Sequence, residues 1–157
     1  MRRLFRTPWV ARDRKGRFTL DLPDGVRQAL LHLGDELRDL LTSDHDAVRR
    51  VFPVAYPDDP DREAGYQALI RGELVDRHQA GIDLIADTID ADELTEEQLG
   101  AWLTTVNALR LVLGTSLGLD EEDDLDIDEA DPRFPVAQLY QVLTILLDDI
   151  VGALGGA

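Results

Sequence analysis

The sequence predicts a mainly α-helical fold, a bundle of four or five helices with a short N-terminal β-hairpin packed against it. Apolar residues recur at steps of three and four in several long segments, which is the pattern of amphipathic helices. The first 22 residues alternate instead, as short strands do. Because 157 residues fit one domain, we assign residues 1–157 to a single domain.

The hairpin is predicted over residues 1–22, with strands at about 3–10 and 17–22. In the second strand Phe18 and Leu20 alternate with polar residues, which places the apolar side chains on one face. Turn-forming residues separate the two strands. Since a lone hairpin is only marginally stable in water, this one must pack on the helices.

Residues 23–119 are predicted to contain three helices and a connector. Apolar residues from Val26 to Leu40 follow steps of four and three, so the first helix runs to about Leu41. Residues 44–51 are compatible with either a further short helix or a turn.

The connector, residues 52–60, contains three prolines and therefore cannot form a regular helix. We expect Phe52 and Tyr56 to anchor it in the bundle. Asp58 and Asp59 are expected to cap the next helix, which begins at the last proline of the connector. We therefore interpret the connector as a structural element and not as a chemical site.

The next two helices follow from apolar spacing and from a capping motif. The second helix is predicted to run from Pro60 to about Ile89, with Leu69 on its apolar stripe. A capping box at residues 95–98 begins the third helix, and Gly114 lies near the end of that helix.

An acidic loop at 120–133 and a helix at 134–154 complete the prediction. Alternating aspartates make the loop similar to a calcium-binding EF-hand loop. However, Glu129 stands where that loop needs glycine, and Pro135 stands where it needs glutamate, so no calcium site is predicted. The wide apolar face of the last helix predicts central burial or contact with another subunit.

Charge is divided unevenly along the chain. There are 32 acidic and 16 basic residues, which gives a net charge of −16 and argues against a broad DNA-binding face. Residues 1–17, the cationic edge, carry seven basic residues and one acidic residue, or +6, so the remaining 140 residues sum to −22. The basic residues of the edge are Arg2, Arg3, Arg6, Arg12, Arg14, Lys15 and Arg17. Either the edge neutralises the acidic body, or it contacts nucleic acid or an acidic partner.

Several kinds of chemistry lack the residues that they need. The chain has no cysteine, which excludes disulfides, thiolate metal sites, cysteine nucleophiles and thiol-based redox sensing. No phosphate-binding glycine loop, metal-binding histidine pair or serine nucleophile motif occurs. His32, His45 and His78 are expected at the surface or its boundary. We therefore predict no catalytic, metal or cofactor site, and we expect that the protein is not an enzyme.

Asn107 and Arg110 are three residues apart on the third helix, so they lie on one face of it. One interpretation is a structural salt bridge from Arg110 to the preceding helix, with Glu73 or Asp76 as its partner, because a buried charge needs pairing. The other interpretation is a contact with an anion or a partner protein.

Two stretches resemble the actinobacterial AosR-like family, a domain of unknown function whose genes commonly lie beside that of the protease adaptor ClpS. The first is FPVAYPDDP at 52–60 and the second is NALRLVLGTSLG at 107–118. The basic hairpin and the capping box also match. The matching residues to which we give a structural role are Phe52, Pro53, Tyr56, Pro57, Asp58, Asp59, Pro60, Asn107, Arg110 and Gly114. The resemblance implies an oxidative-stress transcriptional regulator and supplies no catalytic residues.

Two functional hypotheses follow. The first is a non-enzymatic regulatory protein that acts through protein–protein contacts, as a homodimer and with an unidentified protein partner, without thiol chemistry or a cofactor. The alternative is a regulator that binds nucleic acid through the cationic edge. No apolar run approaches the roughly 18 residues of a membrane span, and no secretory signal pattern occurs, so we expect a cytoplasmic protein.

Overall fold

The computed structural model describes residues 6–42, 54–118 and 127–155, and within them the fold is mainly α-helical, as predicted. Four helices and three short strands follow one another along these residues. Their bounds are β1 Val10–Arg12, β2 Phe18–Leu20, α1 Asp24–Leu41, α2 Pro60–Thr88, β3 Glu93–Leu94, α3 Glu96–Ser116 and α4 Phe134–Leu154. The predicted helix or turn at 44–51 lies outside the described residues.

The strands form one antiparallel sheet in the order β1-β2-β3, with Val10 opposite Leu20. The predicted bounds of the first strand are wrong, because the described residues before Val10 do not belong to the sheet. The backbone N–H of Trp9 donates instead to the Asp149 carboxylate on α4, at 2.9 Å. The third strand, β3, was not predicted, and it extends the hairpin toward the start of α3.

Local features begin two of the helices as predicted. The Asp59 carboxylate accepts a hydrogen bond from the N–H of Arg62 at 3.2 Å, and Pro60 is the first residue of α2. At the start of α3, Thr95 Oγ1 accepts from the N–H of Gln98 at 3.1 Å, while Gln98 Oε1 accepts from the N–H of Thr95 at 2.9 Å. These bonds satisfy N–H groups that have no partner within a helix.

Helix α3 lies between α2 and α4 at the centre of the bundle. Helix α1 packs on α2 and touches α3, while β1 packs on α4. Leu99, Trp102 and Val106 on α3 and Leu146 and Ile150 on α4 are completely inaccessible to solvent. Central burial therefore holds for only part of the apolar face of α4, whose Val151 is 54% exposed.

Contrary to the expectation that no apolar run approaches the length of a membrane span, α4 is the one helix in the described part of the chain that is long and apolar enough to cross a membrane by length and composition. The same helix supplies core residues that pack against the rest of the bundle. The segment before α4 was predicted as an acidic loop at 120–133. Its described part, 127–133, contains turns and no helix or strand, whereas 119–126 lies outside the described residues.

Two glycines allow helices to approach closely. A Cβ atom on Gly81 of α2 would overlap Oγ1 of Thr105 on α3, so only glycine fits this crossing without displacement. A Cβ atom on Gly114 of α3 would lie 3.1 Å from the ring of Tyr140 on α4. Both contacts place backbone against a side chain of the neighbouring helix.

Helix α2 is packed along only part of its length. Its buried residues all lie in the C-terminal 11 residues, 78–88, which we call its second half. No residue of its first half, residues 60–77, is buried, and Leu69 is 83% exposed. The predicted apolar stripe is therefore wrong at Leu69, since no other described element covers that side of the helix.

Candidate functional site

The cationic edge is joined to the acidic body by Arg6. Its guanidinium contacts the Asp149 carboxylate on α4 at 2.7 Å and lies 5.0 Å from the ring centre of Trp9. The same carboxylate accepts the N–H of Trp9, as described above, so one acidic group fixes both residues. This pair is partly shielded from solvent, which makes it more effective than a fully exposed ion pair.

Arg17 is also paired with acidic residues. It contacts Asp13 at 2.9 Å within the hairpin turn and Glu93 on β3 at 3.1 Å. The backbone N–H of Arg17, its side chain and the N–H of Lys15 all donate to Asp13, and they hold the pKa of that carboxyl below its ordinary value. The turn is thus closed around one carboxylate.

Three other basic residues of the edge remain exposed around the same turn. The guanidinium of Arg12 lies 5.7 Å from the ring centre of Phe18, while Arg14 and Lys15 form no ion pair with any residue that the structure describes. Arg2 and Arg3 lie outside the described residues. The structure therefore brings Arg6 and Arg17 against acidic groups of the protein and leaves the tip of the hairpin in solvent.

The described part of the connector packs on the start of α2 and not in the bundle. Tyr56 is exposed, meets Tyr66 edge to face at 5.9 Å between ring centres, and has the Arg62 guanidinium 5.2 Å from its ring. The prediction that Tyr56 anchors in the bundle is therefore wrong. Asp59 caps α2 as predicted, whereas Asp58 makes no capping bond to a described residue. Phe52 and Pro53 lie outside the described residues, while Pro57 lies in the exposed turn before α2.

Glu63 holds the connector in place. Its Oε1 atom accepts hydrogen bonds from the backbone N–H groups of Ala55 at 2.8 Å and Tyr56 at 3.2 Å. Desolvation raises the pKa of Glu63, but these two donors and Gln67 outweigh it and keep the pKa below its ordinary value. The connector is therefore tied to the first turn of α2 by a charge-assisted contact.

The second family-like stretch forms part of the contact between α3 and α4. The Arg110 guanidinium lies 5.8 Å from the ring centre of Tyr140 and donates to Asn107 Oδ1 at 3.3 Å. Gly114, one turn further along, contacts the same tyrosine ring. The predicted salt bridge from Arg110 to Glu73 or Asp76 is wrong, because the positive charge faces an aromatic ring on the other neighbouring helix.

His78 is a residue that the sequence interpretation placed wrongly. It is only 8% exposed, and its Nδ1 atom is enclosed without a hydrogen-bond partner. Burial, with a smaller contribution from Arg77, lowers its pKa below the ordinary value. The spacing Leu74, His78, Ile82 is the signal that could have placed it on the buried stripe of α2. By contrast, His32 is exposed as expected, and His45 lies outside the described residues.

The part of the chain covered by the structure contains no group of three or more histidine, aspartate or glutamate residues arranged to hold a metal ion. Two exposed surfaces are available for contact with a partner, the hairpin tip and the first half of α2. The fold also contains the buried imidazole of His78, whose Nδ1 atom has no hydrogen-bond partner.

Comparisons with known proteins agree with the resemblance. The family described as Domain of unknown function (DUF2017) matches residues 2–154. The chain is 32% identical over 124 residues to an AosR protein of Mycobacterium leprae, covering 68% of this chain and 57% of that protein. It is 29% identical over 127 residues to the oxidative stress regulator AosR of Mycobacterium bovis and of Mycobacterium tuberculosis, covering 70% of this chain and 58% of each.

The match thus spans less than two thirds of the length of these mycobacterial relatives. No solved structure matches the chain significantly. The DUF2017 match nevertheless covers nearly all of the sequence, from the cationic edge to the end of α4. The chain belongs to the DUF2017 family, with the mycobacterial AosR proteins as its relatives.

Proposed function

We propose that this protein is a non-enzymatic, cytoplasmic regulator of an oxidative-stress response that acts through protein–protein contacts and forms a homodimer. The relatives are named oxidative stress regulators, which supports a regulatory role. The observation that carries the proposal of protein contacts is the exposed first half of α2.

Three large apolar side chains lie exposed on this half and on the connector before it. Val54 is 62% exposed, Tyr56 is 38% exposed and Leu69 is 83% exposed. At 1.5 Å per residue, residues 60–77 extend over roughly 27 Å. Most of the stability of a helix in a protein comes from packing of its apolar face, so burial of this exposed side against a second protein would stabilise it. A second copy of the chain can supply an equivalent helix in an isologous dimer.

The chemistry of the chain limits how such a regulator works. Since there is no cysteine, an oxidant cannot be sensed through a disulfide or a thiolate of this chain. The regulatory event is therefore a change in what the protein binds. Contact with the transcription machinery or another partner would then transmit this change in binding.

Leu69→Lys in the full chain tests the proposal. We expect the unmodified protein to sediment as a dimer at tens of micromolar and the variant to sediment as a monomer, because a charge at this position opposes burial. Leu31→Lys on α1 is the matched control, since Leu31 is also apolar and 39% exposed. A strict monomer for the unmodified protein would reject the homodimer.

A second measurement tests the regulatory role itself. In the native host, Leu69→Lys should remove the transcriptional response to peroxide while Leu31→Lys keeps it. Equal responses in both variants would show that the first half of α2 is not the contact surface.

A second candidate function is nucleic-acid binding by the hairpin tip. It is favoured by one observation, the exposure of Arg12, Arg14 and Lys15 around a single turn. Binding of this kind weakens steeply with salt, because each neutralised phosphate releases counterions. A gel shift over a salt series tests it with the double variant Arg14→Glu, Lys15→Glu. No shift for the unmodified protein at about 50 mM salt would reject this function.

A further inference from the structure

A groove runs over α3 between α2 and α4. Its volume is about 560 Å³, which lies within the range of small-molecule sites in proteins. The lining is mostly apolar, with Leu103 and Leu111 from α3 and Leu147 and Val151 from α4. Val151 is 54% exposed, so this wall of the groove is open to solvent.

His78 lines the groove from the side of α2. Neither of its ring nitrogens forms a hydrogen bond with a residue that the structure describes, and Nδ1 is fully enclosed whereas Nε2 is not. A buried polar group without a partner is costly, and native proteins contain few of them. Since Nδ1 is enclosed, a molecule in the groove can reach only Nε2, and a ligand that covers Nε2 has to replace the solvent there with a hydrogen bond.

We propose that this groove binds a neutral, mainly apolar small molecule that carries a hydroxyl group and hydrogen-bonds to His78. A hydroxyl can donate or accept, so it suits either tautomer of the neutral ring. No carboxylate or cationic side chain lines the groove, and the net charge of the chain is −16, so an anionic ligand is disfavoured. The burial of His78 equally disfavours a cation beside it.

The unpartnered imidazole also distinguishes a small molecule from a partner helix. A helix that places its apolar face in the groove would cover His78 with hydrocarbon and leave its nitrogens unsatisfied. A small hydroxylated ligand hydrogen-bonds to Nε2, the nitrogen that is not enclosed, and still covers Leu147 and Val151. This inference does not depend on the proposed dimer, because Leu69 does not line the groove.

The test compares two probes, 2-naphthol and naphthalene, which share an apolar ring system and differ in one hydroxyl group. Binding is followed by fluorescence anisotropy of the probes on the full chain. We expect one saturable site per chain and a preference of about threefold to tenfold for 2-naphthol, the ratio that one net hydrogen bond produces.

Three variants locate the site. His78→Phe keeps a ring but removes the nitrogens, so the preference for 2-naphthol should fall to about onefold. Val151→Lys should weaken both probes by about tenfold by charging the wall, whereas Leu69→Lys, at an exposed apolar residue that does not line the groove, should change neither. Sedimentation of the same samples shows whether Val151→Lys alters self-association.

Specific outcomes overturn the proposal. These are the absence of saturable binding, an unchanged preference in His78→Phe, or equal weakening by Leu69→Lys and Val151→Lys. A loss of self-association in Val151→Lys without probe binding would assign the groove to a second copy of the chain instead.

Discussion

The two halves of α2 belong to one continuous helix, but different contacts stabilise them. In residues 78–88, Gly81 lies against Thr105, and Thr88 accepts a hydrogen bond from the indole N–H of Trp102 at 2.9 Å. In residues 60–77 no side chain is buried. The comparison shows that the length of a helix does not report how much of it belongs to the core.

Local contacts stabilise the first half, together with the partial packing of its last two apolar residues on the core. Asp59 caps the helix, Glu63 ties the connector to its first turn, and Arg77 pairs with Glu73 at 3.8 Å on the same helix. Such contacts contribute a few tenths of a kcal/mol to about 1 kcal/mol each, less than the burial of a large apolar side chain. The first half is therefore expected to open more readily, which leaves it available for a partner.

The largest expected difference between the halves concerns two apolar residues. Ile85→Ala removes a side chain that is 3% exposed and should lower the free energy of unfolding by about 2–5 kcal/mol. Leu69→Ala, its counterpart in the first half, should change it by less than about 0.5 kcal/mol at concentrations where the chain is monomeric. Urea unfolding followed by circular dichroism measures both. Similar losses in the two variants would contradict the division of α2.

The glycines of the two halves should respond to alanine with opposite signs. Gly81→Ala forces a methyl group against Thr105 and should destabilise the fold by about 1–3 kcal/mol. Gly72→Ala meets no atom within 4 Å and should stabilise the helix by up to about 1 kcal/mol. Adding Thr105→Ala to Gly81→Ala should recover part of the loss, and a double-mutant cycle in urea measures this coupling. Full additivity would contradict the close crossing.

The helices could be predicted from the sequence because the signals that begin and end them are local. Periodic apolar residues and caps predicted the end of α1 at Leu41 and the starts of α2 at Pro60 and of α3 after Thr95. The strand β3 could not be predicted, since two residues carry no periodicity and its pairing depends on a distant segment. The exposure of Leu69 could not be predicted either, because a stripe identifies an apolar face without showing what covers it.

The contacts at the candidate site could be predicted from the sequence less well than the helices. The partner of Arg110 was expected to be a carboxylate, yet Tyr140 lies about 30 residues away on a helix whose packing partner the sequence does not specify. The burial of His78 could have been predicted, since its spacing from Leu74 and Ile82 places it on the buried stripe. The expected surface or boundary position of His78 is wrong, because its place on the apolar stripe outweighs its polar character. Whether the cationic edge contacts nucleic acid stays a prediction.

A smaller effect separates two adjacent aspartates before the first half of α2. Asp59→Ala removes the hydrogen bond to the N–H of Arg62 and should cost about 1 kcal/mol. Asp58→Ala removes the same charge without a capping bond and should leave stability unchanged within about 0.5 kcal/mol. Thermal unfolding of the two variants side by side measures the difference. Equal losses would indicate that charge near the helix start, and not the cap, stabilises this half.

The last and smallest expected effect lies at the boundary of the halves and depends on pH. Since burial lowers the pKa of His78 in the folded protein, the unfolded chain binds more protons below about pH 6.5, and stability should fall as pH decreases through that range. His78→Phe should remove this part of the pH dependence. The comparison uses urea unfolding at about pH 7.5 and about pH 5.5.

The carboxyls of Asp13 and Glu63, whose pKa values are also lowered, titrate at more acidic pH and do not interfere. An identical pH dependence in both proteins would mean that the His78 imidazole accepts a proton within the fold as readily as in the unfolded chain, and that its environment is not as closed as the second half of α2 requires.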